Sequence, residues 1–292
     1  MRIEDFPKYY VGVCPHYMFL KEYFQSIDVT ELQNHLNKGN EIKLPKDIAN
    51  LDGIFLNEAM TFLRMSVINL LGYKFLMSGS YLAWGYVTLY YSMFYAVNCL
   101  LRLAGFAIVH IEDLQSDKII RFLIRRSSDG KVYHIGGVKK SEHKVIWNTF
   151  ASIYKWIDSD TCREIIWERI TWNYDLLFPS QSQEKHAKKE ARIMAEYNFL
   201  DPNFSNFPDP NVAESLSDLQ MNYGNVEISA GELIKQCIKL ITEIGLKSHY
   251  REKYLIFFRG LLDHVDDFQT KIEFRDIVKN WIKEAIDKLE MR

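Results

Sequence analysis

The stretch between Tyr81 and Leu101 constrains the fold of this chain more than any other, because none of its residues carries a charge. Apolar and aromatic residues recur within it at spacings of three and four, which predicts an α-helix that is apolar on nearly every side. Such a helix must be buried, either in a helical bundle or in a bilayer. The run is rich in tyrosine, which is typical of membrane interfaces rather than of the bilayer centre. We therefore predict the central helix of a bundle, with a membrane span as the alternative.

The composition is that of a globular protein. Of the 292 residues 48% are hydrophobic, and the formal net charge of −2 leaves the chain as a whole without a basic footprint for nucleic acid. The cysteines lie far apart and form no CxxC pair: Cys14, Cys99, Cys162 and Cys237. This spacing predicts reduced thiols and a cytoplasmic location. The first residues include acids and no apolar segment, so we expect no signal peptide.

Helical patterns flank the central segment on both sides. Residues 51–75 carry an apolar stripe at helical spacing, and the break at 76–80 is short. The two helices are therefore expected to form an antiparallel hairpin. Further helices are expected at 16–25, 28–39, 143–157, 158–178, 184–200, 228–245, 250–268 and 273–291.

Proline and asparagine concentrate at residues 201–211, which predicts a linker. We place a domain boundary there and divide the chain into four parts. These are an N-terminal helical extension (1–50), a helical bundle (51–200), a linker (201–224) and a C-terminal helical subdomain (225–292).

The helical pattern is interrupted at residues 118–138. Two β-rich runs flank the turn sequence at 127–130, which predicts a two-stranded β-hairpin inserted in a mostly all-α protein. Basic residues are dense in and just after this hairpin: Arg121, Arg125, Arg126, Lys131, Lys139 and Lys140. Charges of this kind either keep exposed edge strands from aggregating or contact phosphate or an acidic partner. Both interpretations stay open at the level of sequence.

Several segments match one family pattern. WGYVTLYYSMFYAVNCLLRLAG (84–105) contains a Tyr-Tyr-x-Met-Phe core followed by an aliphatic run and a glycine, and NEAMTFLRMSVINLL (57–71) precedes it as a first helix. KKSEHKVIWNTF (139–150) and WERITWNYDLLF (167–178) follow in the order of the later family segments. Residues 52–200 thereby resemble the HEPN family (higher eukaryotes and prokaryotes nucleotide-binding). The positions that carry the family-like motifs are Tyr90, Tyr91, Phe94, His143, Arg169, Asn173 and Tyr174.

The resemblance implies an all-α bundle that often dimerises through its helices. Family members include RNA-cleaving toxins, CRISPR effectors and abortive-infection proteins, together with many inactive adaptors and antitoxin partners. The active branch uses an arginine and a histidine with four to six residues between them, and it needs no metal. In that reaction the histidine moves a proton while the 2′-hydroxyl attacks, and the arginine stabilises the developing charge.

One arginine–histidine pair in the chain has the spacing of the active branch. Arg259 and His264 lie beyond the linker, outside the family-like region, and about one such pair is expected by chance. Side chains five residues apart on a regular helix point about 140° apart, so the helix would have to end or bend near Gly260 for the two to converge. No histidine follows Arg169 at the family spacing, which brings the chain closer to the non-catalytic branch.

Our hypothesis from sequence is a HEPN-like binding or scaffold component of a prokaryotic antiphage-defence or toxin–antitoxin assembly. The alternative is a metal-independent ribonuclease that uses Arg259 and His264. No metal site or cofactor is expected, since the chain has neither an HExxH motif nor a zinc-ligand spacing. The expected partner is a second copy of the chain or another defence-system protein, and RNA is a further candidate ligand.

Overall fold

The computed structural model of this chain describes residues 6–26, 36, 41–45, 50–79, 82–113, 118–138, 145–146, 149–150, 152, 230–268 and 273–291. Across these ranges the protein is mostly helical and contains one small antiparallel sheet, which confirms the predicted mostly-α class. The helices are α1 (Phe6–Tyr9), α2 (Leu20–Gln25), α3 (Leu51–Ser78), α4 (Leu82–Leu103), α5 (230–247), α6 (Arg251–Asp267) and α7 (Glu273–Glu290). The strands are β1 (Ile42–Pro45), β2 (Phe106–Asp113), β3 (Lys118–Arg126) and β4 (Val132–Gly137).

Helices α3 and α4 form the predicted antiparallel hairpin. Midway along the pair, the Ser66 hydroxyl donates to the Ser92 carbonyl oxygen at 2.7 Å and the Ser92 hydroxyl donates to the Ser66 carbonyl oxygen at 2.9 Å. At one end, Glu58 of α3 pairs with Arg102 of α4. Small serines at the crossing let the two backbones approach closely, and their hydroxyls satisfy each other's buried polar groups.

Among the described residues one helix, α3, has the length and composition to cross a membrane, and 61% of its most apolar stretch is buried inside the molecule. The sequence analysis gave a membrane span as an alternative for the neighbouring helix α4. In the structure it is α3 that meets these criteria. The central helix of a folded bundle can have the same composition as a membrane span. The extent of burial of α3 agrees with a central helix of a bundle.

The β-hairpin is confirmed, because β3 pairs with β4 in antiparallel register across the turn at 127–131. The prediction that it is a two-stranded insertion was wrong. Strand β2, directly after α4, pairs with the other edge of β3, and β1 pairs with β4, giving the order β1-β4-β3-β2. The segment predicted as an N-terminal helical extension therefore contributes a strand as well as α1 and α2.

One face of the sheet forms a second hydrophobic cluster with α2 and the first residues of α3. Side chains alternate between the two faces of a strand, so every second residue of β2, β3 and β4 points into this cluster. The largest buried contributors are Phe24, Phe55, Phe122 and Tyr133. The Phe24 and Phe122 rings meet edge to face at 4.9 Å, and Phe55 stacks on Tyr133 at 5.1 Å.

The helices predicted for the C-terminal subdomain form close to their predicted bounds. Their buried residues belong to the same hydrophobic cluster as those of α3 and α4, so α5, α6 and α7 share one core with the helical hairpin. The Arg64 guanidinium of α3 lies 6.0 Å from the Phe257 ring centroid of α6, which illustrates this contact. The linker, most of the predicted helix at 28–39 and the helices at 158–178 and 184–200 lie outside the described residues, and the helix at 143–157 is helical where it is described.

Candidate functional site

Charged and tyrosine side chains converge in the interior around Arg126, the last residue of β3. Its Nη2 atom lies 2.6 Å from Asp52 Oδ1 at the start of α3, and the two side chains are 0% and 3% exposed. The Tyr133 hydroxyl donates to the same carboxylate oxygen, and it accepts from Arg126 Nε at 3.1 Å and from Nη2 at 2.9 Å. These contacts join the first turn of α3 to two strands of the sheet.

Aromatic rings enclose the same guanidinium. Its central carbon lies 4.8 Å from the ring centroids of both Tyr9 and Tyr10, at the end of α1, and 5.5 Å from that of Tyr133. A cation held against aromatic faces in a desolvated site is attracted by their quadrupoles. The charge of Arg126 is therefore balanced by one carboxylate, and three rings from two parts of the chain surround it.

The backbone beside Arg126 requires a glycine. Gly105, between α4 and β2, has a φ of +75°, and a Cβ built there would lie 2.6 Å from the Arg126 Cβ. Its carbonyl oxygen accepts the Arg126 backbone N–H at 2.8 Å. Glycine alone adopts this φ without steric cost, so the turn that leads from α4 into the sheet also makes room for the arginine.

A second buried ion pair lies beside the first. Arg102 Nε is 2.5 Å from Glu58 Oε2, and these side chains are 7% and 9% exposed. The other Glu58 oxygen accepts the Leu20 backbone N–H at 2.7 Å, at the start of α2. The Tyr10 hydroxyl donates to the carbonyl oxygens of Arg102 at 2.9 Å and Leu103 at 3.0 Å, which links the two ion pairs.

Burial shifts the pKa values of the two tyrosines Tyr10 and Tyr133 in this cluster. It raises the pKa of Tyr10 to about 12 and raises the pKa of Tyr133 well above its usual value. Burial alone would lower the pKa of Arg126, but attraction from the two tyrosines and from Asp52 outweighs it and raises that pKa. The arginine stays charged and the tyrosines stay neutral at physiological pH, so the cluster serves to hold α1, α3, α4 and the sheet together.

The stability of the protein is expected to fall between pH 10 and about 12, in part because of Tyr10. An unfolded tyrosine ionises near pH 10, whereas buried Tyr10 keeps its proton up to about pH 12. A group with a raised folded pKa contributes stability below the unfolded pKa and loses it as the pH rises through the folded value. Two pKa units correspond to about 2.7 kcal/mol. Urea unfolding should therefore show that the difference in free energy of unfolding between wild type and Tyr10→Phe is smaller at about pH 11 than at about pH 8. An equal difference at both pH values would contradict this prediction.

The predicted basic residues of the hairpin do not form one surface. Side chains alternate along β3, so Arg121 and Arg125 lie on the outer, exposed face while Arg126 points inward. The prediction that Arg126 belongs to a basic contact surface was wrong, because its side chain is buried against Asp52. Lys131, at the turn, is exposed, and Lys139 and Lys140 lie outside the described residues.

The outer face of the sheet carries its own counter-charge. Arg125 Nη2 lies 3.0 Å from Glu41 Oε1, and His134 Nδ1 lies 3.1 Å from Glu41 Oε2. The hydrogen bonds from Arg125 and from His134 lower the pKa of Glu41. A phosphate or an acidic side chain that approached Arg125 would have to displace this carboxylate, so the outer face is less basic than the sequence suggests.

Arg259 and His264 are both on α6, which runs without a break through Gly260. The condition for their convergence within one chain, an end or a bend of the helix, is therefore not met. Arg259 Nη2 instead lies 2.8 Å from Glu290 Oε1 on α7, and this hydrogen bond raises the pKa of Arg259. The His264 side chain is exposed near the end of the helix.

The family-like positions on α4 form an aromatic cluster. Tyr90 and Phe94 are 7% and 8% exposed and stack with their ring centroids 6.1 Å apart, and Tyr91 meets Phe94 edge to face at 6.4 Å. They pack the helical hairpin. The remaining family-like positions lie outside the described residues: His143, Arg169, Asn173 and Tyr174.

Comparison with known proteins returns no match: no family model, curated protein or solved structure is similar to this chain. Within the part of the chain that the structure describes, no group of three or more His, Cys, Asp or Glu side chains could hold a metal ion.

Sequence reasoning missed the residues that form the buried ion pairs. One signal for Arg102 was present, because it is the first charge after the long uncharged run, and a lone charge on an apolar helix needs a buried partner. Asp52 and Glu58 lie in an apolar helix that also carries Arg64 and Lys74, so the same signal is weaker for them. Nothing local identifies Arg126 as the partner of Asp52, because the two are 74 residues apart.

Proposed function

We propose that this chain is a HEPN-like binding or scaffold component of a prokaryotic antiphage-defence or toxin–antitoxin assembly, without catalysis of its own. The observation that carries the proposal is the state of Arg259, the candidate catalytic cation. It is engaged by Glu290 across α6 and α7, and a continuous helix turns it away from His264. A general base and a charge-stabilising cation must both reach the reacting phosphate, and this pair does not do so within one chain.

The hairpin arginines support the same proposal. Arg126 is paired with Asp52 in the interior, and Arg125 is paired with Glu41 on the surface. Arginines committed to carboxylates of their own chain are less available to a nucleic-acid backbone, which recruits basic side chains to its phosphates. A protein partner, either a second copy or another component of the assembly, therefore fits better than RNA.

The architecture also suits a scaffold. Two buried ion pairs and a shared core tie the helical hairpin, the sheet and the C-terminal helices into one unit. A rigid surface loses little conformational entropy on association. Light scattering on the purified chain tests the homodimer, and co-purification with a neighbouring gene product tests the hetero-complex.

The second candidate is a metal-independent ribonuclease. Arg259 and His264 are both exposed on α6, so either residue is accessible to a second copy of the chain. A composite site across a dimer would place Arg259 of one copy near His264 of the other, after release of Arg259 from Glu290. The resemblance implies that two such arginine–histidine motifs meet across a dimer in active members of the family.

An RNA-cleavage assay in the presence of a metal chelator separates the two candidates. We expect wild type to leave a mixed-sequence RNA intact, and we expect the same of His264→Ala. The matched control is His249→Ala, which removes another exposed histidine next to the start of α6. Cleavage by wild type and by His249→Ala that is lost in His264→Ala would overturn the scaffold proposal and establish the ribonuclease.

A further inference from the structure

A thiol and an ammonium group meet between the N-terminal segment and α6. Lys253 Nζ, in the first turn of α6, lies 3.0 Å from Cys14 Sγ, in the loop between α1 and α2. The same Nζ lies 5.1 Å from the centroid of the Tyr17 ring, which is 83% exposed. Cys14 and Lys253 are themselves partly exposed, so the site is open to small molecules, and these two residues are in direct contact although they lie 239 positions apart in the chain.

Cys14 differs from the other described cysteines. Cys99 and Cys237 are fully buried against each other in the helical core, and burial raises the pKa of the Cys237 thiol well above its usual value. Buried thiols in apolar surroundings are inert, whereas a partly exposed thiol next to a cation is the type that reacts as a thiolate. The hydrogen bond with the Cys14 sulfur raises the pKa of Lys253, which keeps that amine charged beside the sulfur.

The loop that carries Cys14 packs against Gly53, at the start of α3. The His16 backbone N–H donates to the Gly53 carbonyl oxygen at 3.0 Å, and a Cβ at Gly53 would lie 2.5 Å from the Cys14 carbonyl oxygen. This close packing against the start of α3 fixes the sulfur in front of Lys253. Two reactive groups held in contact behave as one intramolecular system.

We propose that Cys14 and Lys253 form a peroxide-responsive modification site, in which the sulfur is oxidised and then bonded to the lysine nitrogen. In the first step the Cys14 thiolate attacks hydrogen peroxide. A sulfur–oxygen bond forms, the oxygen–oxygen bond breaks, and sulfur gives up two electrons to become a sulfenic acid. The departing hydroxide takes a proton from the Lys253 ammonium and leaves as water.

In the second step the neutral Lys253 amine attacks the sulfenic sulfur. A sulfur–nitrogen bond forms, the sulfur–oxygen bond breaks, and the hydroxyl leaves as a second water with a proton from the amine. The product is a sulfenamide that ties the N-terminal segment to α6, and a thiol reductant reverses it. Because Tyr9 and Tyr10 of the same segment enclose Arg126, the bond would lock the enclosed cluster against opening.

The test treats the full chain with hydrogen peroxide and maps its peptides by mass spectrometry. The expected result is a linked pair of peptides containing Cys14 and Lys253, two hydrogen atoms lighter than their sum and released by dithiothreitol. Lys253→Arg keeps the cation and should allow trapping of the Cys14 sulfenic acid by dimedone, with no linked peptide.

Compared with Lys253→Arg, Lys253→Met removes the cation and should slow dimedone trapping of the Cys14 sulfenic acid about fivefold, the factor expected for a charge contact at a water-exposed site. Lys239→Met removes another exposed lysine and should react as wild type does. Circular dichroism confirms that each variant is folded. Equal trapping rates in Lys253→Arg and Lys253→Met, or no linked peptide in wild type, overturn the proposal.

Discussion

Replacing Arg126 by methionine is expected to lower the free energy of unfolding by about 3–5 kcal/mol, because it leaves Asp52 charged and buried without its guanidinium partner. The two side chains are 0% and 3% exposed, so water cannot take the place of the lost contact. The substitution also removes the cation that Tyr9 and Tyr10 enclose. Urea unfolding at pH 7 measures the effect.

The neighbouring residue provides the matched control. Arg125 also pairs with a carboxylate, at 3.0 Å from Glu41, but these side chains are 61% and 42% exposed. Arg125→Met is expected to change stability by no more than about 1 kcal/mol, because solvent screens an exposed ion pair. Similar decreases in the free energy of unfolding of Arg126→Met and Arg125→Met would show that burial does not set the strength of the Arg126–Asp52 ion pair.

A double substitution distinguishes the effect of losing the ion pair from the effect of leaving one buried charge without its partner. Asp52→Leu combined with Arg126→Met removes both charges, so no unpaired charge of this ion pair remains in the interior. Such replacements of a buried ion pair by apolar residues are often neutral or stabilising, so the double variant is expected to be more stable than Arg126→Met alone. A further loss in the double variant would instead indicate that Asp52 has other essential partners.

Replacing Phe258 by alanine is expected to lower the free energy of unfolding by about 3–5 kcal/mol, because it opens a cavity in the core. Phe258 is 0% exposed and belongs to the cluster that also holds residues of α3, α4 and α5. Since these helices share one core, the variant should still unfold in a single transition when monitored by circular dichroism.

Ile256, two residues earlier on α6, is the control for this experiment. It is 61% exposed, and Ile256→Ala should change stability by no more than about 0.5 kcal/mol. Two separate transitions in Phe258→Ala, with the helical hairpin intact after the first, would establish residues 225–292 as an independent subdomain. That outcome would contradict a common core.

Local pattern predicted the helices well. The apolar stripe of α3, the short break near Gly79 and the uncharged run of α4 specify a helical hairpin, because each signal lies within a few turns of chain. The turn at 127–130 specified the β3–β4 hairpin for the same reason. The sequence predicted two of the four strands of the sheet. Strand β1 was missed because it pairs with a strand about 90 residues further along the chain, as the partners Ile42 and Ile135 show.

The sequence by itself therefore determined where helices and one hairpin form, because side-chain periodicity and turn chemistry are encoded between near neighbours. Tertiary structure alone decided which charges are buried and what each one meets. Arg125 and Arg126 are adjacent in sequence, yet one faces solvent with Glu41 and the other is enclosed with Asp52. The strand pleat sends them to opposite faces, and distant segments supply their partners, so the chemistry of each arginine depends on contacts that no local pattern contains.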